Sequence, residues 1–168
     1  YFVSFATVYW LDVFVRDQYF DKILSTLDFC RKKKGMEVYA YCIMTSHVHL
    51  IFRAKNSNPS EVMKTLKVYS SKELQKMIND NPQESRKKYL KWMFERAGKQ
   101  NSNVTKGQFW QQHNKPIELW SPEVIDQKVN YIHNNPVESG FVQEPEHWKY
   151  SSAIDYAGGK GLMDIDYI

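Results

Sequence analysis

The sequence predicts an α+β chain whose centre is an antiparallel sheet with helices on its faces. Three observations predict it: a β-rich N-terminal run, a long helix-periodic segment closed by a glycine, and two further β-type runs joined through Thr45-Ser46.

Tyr1 to Phe14 is dense in Tyr, Phe, Val and Trp, and reads as a strand followed by a turn. From about Arg16 to Lys33, apolar residues at Tyr19, Phe20, Ile23, Leu24, Leu27 and Cys30 recur at helical spacing, and Gly35 supplies the stop. Met36 to Met44 and Val48 to Ala54 then read as the two arms of an antiparallel hairpin. Asn58-Pro59-Ser60-Glu61 starts a helix that Val62, Leu66, Tyr69 and Leu74 continue, until Asn81-Pro82 breaks it. A second, highly charged helix is expected next, then a loop from about Gly98 to Gly107. Phe109-Trp110 through Leu119-Trp120 is expected to be a strand or extended segment, with both tryptophans in the core. Ser121-Pro122-Glu123 supplies a capping residue and a first-turn proline for a helix running to about Asn135-Pro136. The tail after Gly140 is expected to be irregular, with one short helix at most.

The 168 residues suit one domain, 1–168, carrying a charged helical and loop insertion at about 83–107. With 42% hydrophobic and 15% aromatic residues the composition excludes a disordered chain. No apolar run is long enough for a bilayer span, so no membrane partner is expected. Cys30 and Cys42 lack CxxC spacing, so neither a disulfide framework nor a zinc knuckle follows, and a reducing, cytoplasmic setting is the expectation. Tyr1-Phe2-Val3 has no basic n-region or cleavage site, so no signal peptide is expected, and native residues are expected to precede it.

A net charge of +4 suits a polyanionic partner. Cations cluster at Arg31 to Lys34 and recur from Lys64, Lys67, Lys72 and Lys76 through Arg86, Lys91 and Arg96 to Lys106, with Tyr69, Tyr89 and Trp92 interleaved. Such a pattern can track phosphates and stack unpaired bases, although a charge run in general is more often a solvated helix face.

The chemistry-bearing feature is Ser46-His47-Val48-His49-Leu50-Ile51-Phe52. Strand alternation points His47 and His49 one way and Val48, Leu50 and Phe52 the other, so two imidazoles share a face and offer half of a metal site. On the helix beginning at Pro122, Ile125, Val129 and Ile132 form an apolar stripe, while Gln127, Tyr131 and Asn135 recur four apart on another face. A phenol with an ordinary pKa of about 10 is a weak nucleophile, but a cation that polarises a phosphate makes its attack feasible. Asn135, one turn on from Tyr131, can bring an amide oxygen to that cation and can also cap the helix before Pro136.

Two long stretches carry a resemblance. Tyr39-Ala40-Tyr41-Cys42-Ile43-Met44-Thr45-Ser46-His47-Val48-His49-Leu50-Ile51-Phe52 and Val129-Asn130-Tyr131-Ile132-His133-Asn134-Asn135-Pro136-Val137-Glu138-Ser139-Gly140-Phe141-Val142, with the later Trp148-Lys149-Tyr150-Ser151-Ser152, resemble the HUH single-tyrosine transposases, in the branch associated with repetitive extragenic palindromes. The resemblance implies a ferredoxin-like sheet of HUH endonuclease type. It implies His47, His49 and Asn135 as ligands of Mg2+ or Mn2+, and Tyr131 as the nucleophile that cuts single-stranded DNA beside a palindromic hairpin, leaving a 5′-phosphotyrosine and a free 3′-hydroxyl. Strand joining follows by reversal. A homodimer is compatible with it.

Tyr69 competes as nucleophile, because it also lies on a basic helix downstream of the histidines; Tyr131 is preferred for its Asn135 neighbour and motif context. Lys64, Lys67, Tyr69 and Lys72 are the candidate DNA contacts. His133 points away from Tyr131 and reads as structural or DNA-contacting. The alternative function is a module that binds hairpin DNA or RNA with catalysis weak or lost; a hydrolytic metal enzyme without a covalent intermediate is a third.

Overall fold

The computed structural model describes residues 1–56, 58–102 and 107–167. Lys106 and part of the loop expected at 98–107 lie outside the described residues. Strands β1 (Phe2–Ala6), β2 (Met36–Ile43) and β3 (His47–Ala54) form an antiparallel sheet in the order β1-β3-β2. Helix α1 (Asp17–Lys34) carries the chain from β1 to the far edge, and the tight hairpin after β2 returns β3 to the centre, the split arrangement of ferredoxin-like folds. Gly35, at φ 66°, ends α1 in the left-handed region, with its N–H bonded to the carbonyl of Cys30.

The two sheet faces are unequal. Val48, Leu50 and Phe52, with Val3, Phe5, Tyr41 and Ile43, pack in one core with Tyr19, Ile23 and Leu27 of α1 and Val62 and Leu66 of α2 (Pro59–Asp80). On the other face Phe2, Ala40, Cys42, Met44 and Ile51 pack with Val129 and Ile132 of α4 (Pro122–Glu138). β2 switches the parity of its side chains at Tyr39, an extra residue between Val38, opposite Phe52, and Ala40, opposite Ile51.

Helix α3 (Lys87–Lys99) buries Leu90, Phe94 and Ala97 in the larger core. Ahead of it, the carboxylate of buried Glu84 accepts from Arg86, Arg16 and the Tyr19 hydroxyl. The charged segment is thus bound into the body through both its apolar and its ionic residues.

The strand expected over 109–120 forms only two isolated bridges, Phe2 with Ile117 and Thr7 with Trp110, along the outer edge of β1. His113, at φ 67°, and Pro116, which has no N–H to donate, interrupt the ladder. Trp110 is buried and donates to Ser70 Oγ at 3.0 Å. Trp120, expected in the core, is instead 83% exposed, because it falls just ahead of the α4 N-cap where the chain has left the sheet edge. The tail covers the opposite edge: Ser151 bridges Cys42, Ile43 N–H donates to Tyr150 and Ser152 N–H to Tyr41. It contains a 3₁₀ turn at Pro145–His147 and the short α5 (Ala153–Tyr156).

Helix α4 begins as its sequence predicts, with Ser121 Oγ accepting from Val124 N–H. It does not stop at Asn135 but runs to Glu138, since a proline in the last turn forfeits little of the helical ladder. Phe141 N–H donates to Pro136 and Gly140 N–H to Val137, with Gly140 at φ 76°, a Schellman closure. Asn135 is therefore a helical residue rather than a cap. Among the described residues no helix is long and apolar enough to cross a membrane.

Candidate active site

β3 aims His47 and His49 at the α4 side, and their cross-strand neighbours are small: Ser4 and Cys42 flank His49, and Ala6 lies opposite His47. Small neighbours on the adjacent strands leave room for the imidazoles on this face of the sheet, where the His49 ring is buried. Their ring centroids are 4.7 Å apart and nearly perpendicular, at 82°. Ser46 Oγ lies 3.1 Å from His47 Nδ1; an Nδ1–H donated there leaves Nε2 as the lone-pair nitrogen.

Val129 and Ile132 fix the roll of α4 against the sheet, and a polar lock reinforces them. Ser152 Oγ accepts from Tyr41 N–H at 2.9 Å and lies 2.9 Å from His133 Nε2. His133 is buried, which lowers its pKa to about 4, and its place is structural. With that side of α4 pinned down, Lys128, Tyr131 and Asn135, spaced three and four apart, share the side that meets the histidines. The Tyr131 ring centroid lies 5.2 Å from that of His49, and the residue is 42% exposed. Lys128 Nζ stands 5.5 Å from the centre of the Tyr131 ring and 4.9 Å from that of Phe2.

Between these groups the polar inventory is incomplete. His49 Nδ1, His49 Nε2 and Asn135 Oδ1 are all buried without a hydrogen-bond partner. Asn135 lies near enough to both imidazoles to favour their charged forms, but its amide is not aligned to bond either ring. Burial dominates, and with the neighbouring His47 ring and the Lys128 charge it holds His49 down to about 3. His47 is lowered as well, chiefly by burial, against opposing effects of Asn135 and Asp12. Both imidazoles are neutral at neutral pH, the protonation state of a metal ligand.

A bare buried polar atom costs on the order of 1–3 kcal/mol, and a cation taking the lone pair of one His49 nitrogen and of Asn135 Oδ1 would offset part of that cost. Among the described residues no three His, Cys, Asp or Glu side chains gather to hold a metal. His47, His49 and Asn135 could together offer two imidazoles and an amide oxygen to a divalent ion that keeps positions for water and phosphate oxygens.

The other candidates lie elsewhere. Tyr69, the competing nucleophile, is on α2 against the opposite face of the sheet, where its ring stacks on Phe29 of α1 at 6.0 Å and 21°. Lys67, expected at DNA, instead donates to Gln111 O at 2.8 Å and Asn114 Oδ1 at 3.0 Å, and burial lowers its pKa to about 8. Its ammonium staples residues 111–114 to α2. Lys64 and Lys72 are exposed on the same helix, and Lys64 lines a cavity of about 590 Å³ between α2 and residues 107–116. Two residues at the histidines were not singled out from sequence. Lys128 carried a usable signal, one turn before Tyr131; Trp10, whose ring lies 5.3 Å from His47, carried none, because only the fold brings them together.

The sequence pattern of the family described as "Transposase IS200 like" matches residues 3–92, a span that includes His47 and His49 and ends before α4. No curated protein matches the chain. A solved structure described as a REP-associated tyrosine transposase bound to a REP hairpin is similar with a TM-score of 0.64 and 14% identity, over 99% of this chain and 87% of that one. At that identity the likeness speaks for the fold.

Proposed function

The chain belongs to the IS200-like transposase family, and from that premise we propose that it cuts and rejoins single-stranded DNA beside a palindromic hairpin, with Tyr131 as nucleophile and His47, His49 and Asn135 as ligands of Mg2+ or Mn2+. One observation carries the reading: His49, whose ring nitrogens are bare, lies 5.2 Å ring to ring from the part-exposed Tyr131, and the bare amide oxygen of Asn135 is one turn along the same helix. A cation bound there would polarise the scissile phosphate and offset its developing charge.

The chain's own residues account for the rest. His47 and His49 arrive as neutral ligands, and Ser46 holds the His47 ring in orientation. Tyr131 attacks phosphorus, the phosphorus–O3′ bond breaks, and the products are a 5′-phosphotyrosine and a free 3′-hydroxyl. The phenolic proton is lost to solvent, and the departing O3′ takes a proton from solvent to become the 3′-hydroxyl. Lys128, above the ring, favours the developing phenolate. The His133–Ser152–Tyr41 lock keeps α4 from rolling, so the phenol holds its position over the imidazoles. Attack of the 3′-hydroxyl on the phosphotyrosine reverses the step and joins strands.

The test is a hairpin-bearing oligonucleotide incubated with protein and Mn2+, then resolved on a denaturing gel. A covalent band lost in Tyr131→Phe is the expected result. Binding without an adduct in any metal would replace this reading with a hairpin-binding module, and cutting by Tyr131→Phe would replace it with metal-dependent hydrolysis.

A further inference from the structure

Beside His47 the backbone does something unusual. Tyr9 and Trp10 are consecutive non-glycine residues in the left-handed region, at φ 56° and 54°, a conformation that side-chain-bearing residues rarely adopt and that strains the backbone. The turn is held there from several sides. Thr7 is fully buried, and its Oγ1 lies 2.7 Å from Leu11 O and 3.1 Å from Ser46 O, the residue before His47. Val8 N–H donates to Phe109 O, Tyr9 OH donates to Gln100 Oε1, and Arg86 donates to Asp12 O. Thr45, in the β2–β3 turn, donates to the Asp12 carboxylate at 2.6 Å.

So rigid a support presents one large side chain. Trp10 is 58% exposed, with its ring edge-on to His47 at 5.3 Å and 68°. Burial of an indole does not explain the strain, because most of the ring faces solvent. The larger core does not use it either: Val8 belongs to that core, and Trp10 does not.

We infer that Trp10 is a stacking platform for an unpaired DNA base next to the scissile phosphate. The inference rests on the function proposed above, since it takes the phosphate at His47 as its reference point. A single strand whose phosphate lies over the imidazoles places a neighbouring base within a nucleotide's length of His47, and an indole face fixed in that range can stack any of the four bases. The strained turn sets the ring in place before DNA arrives, which lowers the ordering cost of binding.

The test uses Tyr131→Phe protein, which leaves the oligonucleotide intact, and a hairpin substrate whose single-stranded flanks carry an abasic site moved one position at a time. Stacking worth about 1–3 kcal/mol corresponds to roughly 5–150-fold in Kd. One abasic position should weaken binding within that range, and Trp10→Ala should weaken binding of the intact strand equally. At that position the two losses should not add, and Trp10→Phe should restore most of the affinity. Trp10→Gly separates binding from folding: glycine accepts φ 54° without strain, so this variant should hold or raise Tm while losing base-dependent binding. Losses that add at every position, an unchanged Kd in Trp10→Ala, or a change confined to oligomeric state would overturn the inference. The adduct assay on the Tyr131-containing chain decides the parent reading separately. An adduct with no Trp10-dependent position sinks only the stacking, whereas a Trp10-dependent position with no adduct sinks only the cleavage.

Discussion

Glu84 and His49 are both buried polar side chains in a small protein, and they are treated in opposite ways. Around Glu84 every demand is met: Arg86 and Arg16 supply charge, and Tyr19 supplies a hydroxyl. Around His49 both ring nitrogens are left bare, and so is the amide oxygen of Asn135. A satisfied buried network rigidifies a fold, whereas an unsatisfied buried group calls for a separate explanation, such as strain, a catalytic role, a water or an ion. The difference separates a polar cluster that holds the structure from one whose partners the fold does not supply, as the proposed cation would.

The comparison breaks most visibly at Tyr131. Tyr131→Phe should lower covalent adduct formation by at least about 10³-fold, measured as the initial rate of the shifted band, with Tm within about 1–2 °C of the starting protein, as expected where an exposed hydroxyl is removed. An adduct that persists would move the nucleophile elsewhere on the chain. Next in size, His49→Ala should lower the same rate by about 10²–10³-fold, an effect comparable to losing a metal ligand or its orienting partner. Its stability signature is the sharper part. Mn2+ should raise Tm in the starting protein by mass action on the folded state and leave Tm unmoved in His49→Ala. Equal metal-induced shifts in both would show that the bare nitrogens are not where the cation goes.

Glu84→Gln should do the reverse, costing about 2–3 kcal/mol, read as a lower urea midpoint, while leaving the adduct rate per folded molecule unchanged. It also has a pH signature. The hydrogen bond and charge of Arg86 hold the Glu84 carboxyl down to about 2, against an ordinary value of 4.5. A carboxyl depressed in the folded state contributes stability that is complete above the unfolded value and disappears as pH falls from 4.5 towards 2. Urea midpoints between those limits should therefore fall less steeply in Glu84→Gln than in the starting protein. Parallel profiles would mean that Glu84 is not the group being protonated.

How much of this was legible in the sequence follows from the range of each interaction. The hairpin, α1 with its glycine stop, and the capped starts of α2 and α4 depend on neighbours a few residues away, and periodicity and caps report such neighbours directly. The shared face of His47 and His49 is a two-residue property of a strand. Glu84 is different: its partners include Tyr19, 65 residues earlier, and nothing local marks a glutamate before a charged helix as buried. Lys67 read as a DNA contact for the same reason, since its acceptors lie 44 and 47 residues along. The strand expected over 109–120 was lost to a left-handed His113 and to Pro116, and only the proline is visible as a letter.

The smallest expected effect concerns Lys128, which sharpens the comparison because it stands at the edge of the unsatisfied cluster without belonging to it. Its ammonium sits against the rings of Tyr131 and Phe2, and its charge helps to keep His49 neutral. Replacing it with methionine keeps the length and apolar packing of the stem and removes only the charge. If the cation assists phenolate formation, Lys128→Met should slow adduct formation about 10-fold, the scale of a cation–π contact of roughly 1 kcal/mol that strengthens as negative charge develops on the ring. The loss should persist at saturating DNA, because it falls on the bound complex rather than on binding. A deficit that vanishes at saturating DNA would assign Lys128 to holding the strand, and raising the salt concentration would then shrink it, because the starting protein makes one more phosphate contact than Lys128→Met.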